Sequence, residues 1–183
     1  SLEEKLEDLI RRLKESNERL KRELERLIEE LRKNNERLLK ELDDLVEEIE
    51  RALRDLLREK DDEELRRLAE EVKREVERVK REVKKLSDDD KKILDDLLRE
   101  VERLSREDER TLDKLKKDVS RLTDSRKVEK ILKDAKDSNK KVADTVREIL
   151  KRARDSNKRV AERVKDLLRR LRELLKELAE RVK

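Results

Sequence analysis

The 183-residue chain contains no Cys, His, Gly, Pro, Met, Phe, Tyr or Trp. Each absence removes a class of chemistry. Without Cys there is no disulfide framework, redox couple or thiolate metal site. Without His the usual neutral-pH acid/base group and the commonest zinc ligand are missing. Without Gly no loop can cradle a phosphate, and without aromatic rings there is no stacking platform for bases or sugars. No apolar run approaches the ~20 residues of a membrane span, and no signal-peptide core is visible. No enzymatic activity, cofactor, metal, nucleic acid or membrane partner is therefore expected.

Charge dominates what remains: 59% of the residues are Asp, Glu, Lys or Arg, and 32% are apolar. Such a composition can leave a chain disordered when too little apolar area is available to offset chain entropy. Here 56 basic residues nearly cancel 52 acidic ones, so little net repulsion holds the chain open. The apolar residues are also periodic. In the first third they run Leu2, Leu6, Leu9, Leu13, then Leu20, Leu24, Leu27, Leu31, then Leu38, Leu42, Leu45, Ile49. Spacings of three and four place each series on one helix face. Nearly all the other residues are good helix formers, so an all-α fold is predicted.

With no Gly or Pro, capping chemistry must mark the helix ends. Ser1-Leu2-Glu3-Glu4 has the form of a capping box. Asp61-Asp62-Glu63-Glu64 and Thr123-Asp124-Ser125 offer further short polar caps and first-turn acids. Cutting there predicts helices over about 2–60, 62–122 and 125–183 within a single domain, 1–183. Each would be ~90 Å long at ~1.5 Å rise per residue. Equal lengths and short turns imply an antiparallel, up-down-up three-helix bundle. Ser87-Asp88-Asp89-Asp90 also resembles a capping box, and a break there would give four helices. The seam Val79, Val83, Leu86, Asp90, Leu94, Leu97 keeps its rhythm through the place and favours continuity.

An internal repeat of 18 residues supports the threefold cut. Ser16-Asn17-Glu18-Arg19-Leu20 recurs as Asn34-Asn35-Glu36-Arg37-Leu38, and Asp137-Ser138-Asn139-Lys140 as Asp155-Ser156-Asn157-Lys158. Eighteen residues are five turns at ~3.6 residues each, between the periods that drive left- and right-handed supercoils, so nearly straight helices are predicted. The repeat also exposes polar residues at seam positions. Asn17 and Asn35 occupy the place held by Leu53 one repeat later, and Asn139 and Asn157 the place held by Leu175. In the middle segment, read backwards, Asp108 and Asp90 occupy the place of Val72.

These positions fall at common heights. The residue numbers of Asn17 and Asp108, Asn35 and Asp90, and Leu53 and Val72 all sum to 125, while Asn139, Asn157 and Leu175 lie 122 residues beyond their first-helix counterparts. Two polar layers and one apolar layer follow. One polar layer would join Asn17, Ser105, Asp108, Ser138 and Asn139; the other, Asn35, Ser87, Asp90, Ser156 and Asn157. Ser16 and Asn34 flank the same seam. A buried polar group without a partner costs ~1–3 kcal/mol, so these residues make sense in a core only as connected sets. Their use would be to fix register, because a slip sets Asn or Asp against Leu.

Other chemistry is poorly served. Asp90 and Asp108 lie ~27 Å apart along one helix and cannot act as a catalytic pair. Ser87 and Ser105 have no activating base of the usual kind. The last segment, 124–183, carries 21 basic and 12 acidic residues, while 1–60 and 61–123 are each slightly acidic, at 16 to 19 and 19 to 21. A basic helix lying between two acidic ones accounts for this without a polyanion partner.

The matched polar layers, strict repeat and Gly- and His-free composition resemble those of computationally designed helical bundles with built-in hydrogen-bond networks. The Leu122-Thr123-Asp124-Ser125 turn looks like the short connection of designed switchable helical cages, although no latch segment is recognisable. Natural spectrin-like three-helix rods are the nearest natural analogue and differ in their aromatic core residues. The resemblance implies a scaffold or assembly block, expected as a monomer. The alternative is a helical binding or oligomerising module, in which an exposed apolar edge of Ile10, Ile28 and Val46 meets a second copy or a designed partner; beside the main seam, these residues could equally serve a third-helix contact.

Overall fold

The computed structural model describes residues 1–60, 62–121 and 124–182, without the side chains of Leu2 and Val182. Asp61, the Leu122 and Thr123 turn positions, Lys183 and the seam place of Leu2 lie outside the described residues. Among the described residues the secondary structure is three helices: α1 over Leu2–Glu59, α2 over Glu63–Ser120 and α3 over Ser125–Val182. They pack together as an all-α, antiparallel bundle.

The helix ends follow from local hydrogen bonding. At the start of α1, Ser1 Oγ accepts from the Glu4 amide at 3.3 Å, and the Glu4 carboxylate returns to the terminal ammonium at 3.7 Å. Asp62 Oδ1 accepts from the Glu64 amide at 3.3 Å, and Asp124 Oδ1 from the Arg126 amide at 3.0 Å. Each is an N-cap that satisfies a donor left without a partner inside its helix. At the other end of α2, Ser120 Oγ donates to the Lys117 carbonyl at 2.6 Å. No described residue adopts positive φ, so the ends are made without a left-handed residue. Helix α2 runs unbroken through Ser87 and Ser105. Val83, Asp90, Leu94 and Val101 are all buried, and a break at Ser87 would have carried the later ones off the core face.

The bundle divides into two compact units, to each of which every helix contributes a stretch. One comprises Ser1–Glu30 and Ile93–Arg154, the other Leu31–Lys92 and Asp155–Lys183. In the first, Leu6, Ile10, Leu112, Val119, Val128 and Ala135 form a buried cluster. In the second, Leu42, Ile49 and Leu56 of α1 meet Val72, Val79 and Val83 of α2 and Val164, Leu167 and Leu171 of α3. The layer read as apolar lies here, with Leu53 and Val72 buried and Leu175 partly buried against the same cluster.

Of the two places open to Ile10, Ile28 and Val46, the exposed edge needs correction, and the contact with a further helix is the one they occupy. All three are buried, at 4%, 1% and 5% exposure. A helix with a neighbour on each flank must present a stripe wider than a two-helix seam, and these residues supply the added width. Ile93, at 43%, is the one large apolar side chain found exposed among the described residues.

Candidate functional site: two buried polar layers

In the first unit Asn17, Asp108 and Asn139 are buried, at 2%, 2% and 6% exposure, and meet across three helices. Asn17 Nδ2 donates to Asp108 Oδ2 at 2.6 Å. Asn139 Nδ2 donates to the same oxygen at 3.0 Å and to Asn17 Oδ1 at 2.9 Å, with the Leu13 carbonyl at 3.4 Å. Ser138 Oγ completes the set by donating to Asp108 Oδ1 at 3.2 Å.

The second unit repeats the pattern partner for partner. Asn35 Nδ2 donates to Asp90 Oδ2 at 2.8 Å. Asn157 Nδ2 reaches Asp90 Oδ2 at 2.8 Å, Asn35 Oδ1 at 3.0 Å and the Leu31 carbonyl at 3.3 Å. Ser156 Oγ donates to Asp90 Oδ1 at 2.8 Å.

One carboxyl therefore lies at the centre of each layer. Asp90 is fully buried, and its side-chain partners are all donors: two amides on one oxygen and a hydroxyl on the other. Asp108 is served in the same way. Neither set includes Lys or Arg, so hydrogen bonds from Asn and Ser replace the lost hydration. Asn is suited to the linking place because its amide donates while its carbonyl accepts. Each Asn carbonyl from α1 receives the Asn of α3, which ties those two helices directly as well as through Asp.

Four of the five residues expected in each layer are thus hydrogen-bonded together. The fifth is not: no hydrogen bond joins Ser105 to the first layer or Ser87 to the second. Ser105 is buried but lines a cleft of about 260 Å³ open to solvent between α1 and α2. Ser87 is only partly buried. Both precede their Asp by three residues on the same helix, and the carboxylate is already engaged by the Ser of α3, which approaches from across the bundle. Ser16 is half-buried and outside the first set, while Asn34 Oδ1 accepts from Arg37 at the surface. The backbone carbonyls of Leu13 and Leu31 are partners that spacing gave no means of finding, because every residue type carries that acceptor.

Among the described residues no group of three or more Cys, His, Asp or Glu is placed to hold a metal ion, and no helix is long and apolar enough to cross a membrane. Around the layers, Arg172 of α3 pairs with Glu41 of α1 at 3.5 Å, and Arg163 with Glu82 of α2 at 2.8 Å. The basic helix thus meets acids on both neighbours in the second unit. Comparison with protein-family models, curated proteins and solved structures finds no match to the chain.

Proposed function

We propose that the chain is a structural scaffold of designed origin, without enzymatic activity, whose two polar layers select one register among the helices. The observation that carries this reading is the recurrence of a single hydrogen-bond pattern 18 residues on, with each donor and acceptor in its matching place. A register with Asn or Asp opposite Leu would leave buried groups without partners, at ~1–3 kcal/mol each. Apolar seams alone discriminate weakly, since one Leu fits another's place nearly as well. The lack of a matching family agrees with an origin outside natural lineages.

The test exchanges layers. The double substitution Asn35→Leu with Leu53→Asn, made in α1 alone, sets a leucine against Asp90 and Asn157 and an asparagine against Val72. Denaturant unfolding should show a loss of about 3 kcal/mol or more. Making the corresponding interchanges of Asp90 with Val72 and Asn157 with Leu175 should recover most of it. A loss under about 0.5 kcal/mol for the α1 interchange would sink the reading.

A further inference from the structure

The outermost lines of α2 and α3 in the second unit carry opposite charge, each flanked by residues of the other sign. On α2, Arg67, Arg74, Arg78, Arg81, Lys85 and Lys92 are all exposed. Each lies two residues beyond a core-facing one (Leu65, Val72, Val76, Val79, Val83 and Asp90), hence about 200° round the helix, on its outermost line. On α3, Asp155, Glu162, Asp166, Glu173, Glu177 and Glu180 are exposed and stand two residues beyond Ala153, Val160, Val164, Leu171, Leu175 and Leu178. The exposed line of α1 in this unit mixes signs: Lys33, Arg37, Lys40, Asp44, Glu47, Arg51.

The two lines also match in height. The Asp90–Asn157 hydrogen bond fixes which levels of α2 and α3 coincide, through residue numbers that sum to 247; the Arg163–Glu82 pair agrees to within two residues. On that ruler Arg67 is level with Glu180, Arg74 with Glu173, Arg81 with Asp166, Lys85 with Glu162, and Lys92 with Asp155, while Glu177 is level with the acid Glu70. Within one molecule these side chains point away from each other. Two copies placed side by side with their helices running the same way, one turned about the helix direction, would bring them together, α2 of one against α3 of the next. Arg159 of α3 would then stand level with exposed Asp88 of α2. Arg78 and Arg169 are level and alike in sign, but each already has a carboxylate on its own helix, Glu75 and Asp166 respectively.

We infer that these faces form a self-complementary docking surface, and that the partner it fits is a second copy of this chain. A polyanion would find the α2 line flanked by the acids Glu70, Glu71, Asp88 and Asp89, whereas α3 offers carboxylates along its line and, level with Glu71, Asp88 and Asp89, the flanking bases Lys176, Arg159 and Lys158. The contact is heterologous. It leaves one basic and one acidic line free at the two ends of a pair, so growth beyond a dimer follows. Exposed ion pairs are individually weak, so the association depends on their number and on low salt. The inference rests on charge placement and not on the buried layers, so its failure would leave the scaffold reading to its own stability test.

Sedimentation of the full chain in about 10 mM salt, where charges reach over ~30 Å, should give an average mass at least double the 22.2 kDa of one chain. In about 1 M salt the mass should return to that of the monomer. The set Arg74→Glu, Arg81→Glu, Lys85→Glu should abolish association, and so should the set Glu162→Lys, Asp166→Lys, Glu173→Lys. Combining both sets exchanges the signs and should restore it. All substitutions are at exposed positions, and circular dichroism verifies that each variant is folded. A wild-type monomer in low salt overturns the inference, as does association that survives either reversal or fails to return in the combined variant.

Discussion

At the scale of single residues, Asp90 and Asp108 matter most, because three hydrogen-bond donors converge on each. Replacing Asp108 by Leu would strand the amide of Asn17 in the core and take the acceptor from Ser138, while Asn139 keeps Asn17 Oδ1 and the Leu13 carbonyl, at an expected cost of about 2–5 kcal/mol in denaturant unfolding. Asp108→Asn should cost less. Its carbonyl can take the place of Oδ2, and its amide can donate to Ser138, whose hydroxyl is able to rotate. The serines separate by the same logic. Ser156→Ala removes a 2.8 Å bond and should cost about 1 kcal/mol, whereas Ser87→Ala removes none and should stay within about 0.5 kcal/mol. Equal losses for the two would contradict the difference in bonding described above. Both serines were legible as candidates, since each lies beside a seam position. The choice between them was not, because it depends on which hydroxyl reaches across to the carboxylate.

At the scale of the helix, two features decide stability: the caps and the width of the apolar stripe. Asp124 and Asp62 each hold a first-turn amide, and replacing either with Ala should cost about 0.5–2 kcal/mol. Ile28, at 1% exposure, tests the stripe. Were it on an exposed edge, Ile28→Asp would be almost neutral. Buried as it is, the substitution should cost at least about 3 kcal/mol, measured as a shift of the denaturation midpoint. The helices themselves were plain in the sequence, with ends displaced by only a residue or two, because period and capping are properties of a few neighbouring residues. The place of Ile10, Ile28 and Val46 was not plain. A residue next to a seam faces solvent or core according to whether another helix lies on that side, and one helix cannot reveal that.

At the scale of the whole molecule, surface charge is abundant but contributes little to folding. Most ion pairs found among the described residues join positions three or four apart on one helix, such as Arg103 with Glu107 and Arg147 with Asp144. Lys14–Asp113, Arg163–Glu82 and Arg172–Glu41 connect different helices, and all six side chains remain well exposed. Exposed pairs contribute about 0.2–1 kcal/mol at most. Raising salt from about 0.05 to 1 M should therefore change the unfolding free energy by no more than about 2 kcal/mol, measured with urea so that the denaturant adds no ions. A collapse of stability in high salt would mean that charge pairing, rather than the Leu and Val interior with its two polar layers, holds the helices together.

The amino-acid order alone determined that the chain is helical, where its helices end, that an interval of 18 residues governs it, and that Asn17, Asn35, Asp90, Asp108, Asn139 and Asn157 stand where apolar residues otherwise would. These are regularities along a chain, and helix geometry turns them directly into faces and heights. Tertiary structure decided which serine completes each layer, which backbone carbonyl each α3 Asn also meets, on which side the isoleucines are covered, and that acidic and basic lines at one level point in different directions. Those outcomes depend on distance and bearing between helices. Hydrogen bonds need both to within a fraction of an ångström and a few tens of degrees, and no spacing within one helix contains either.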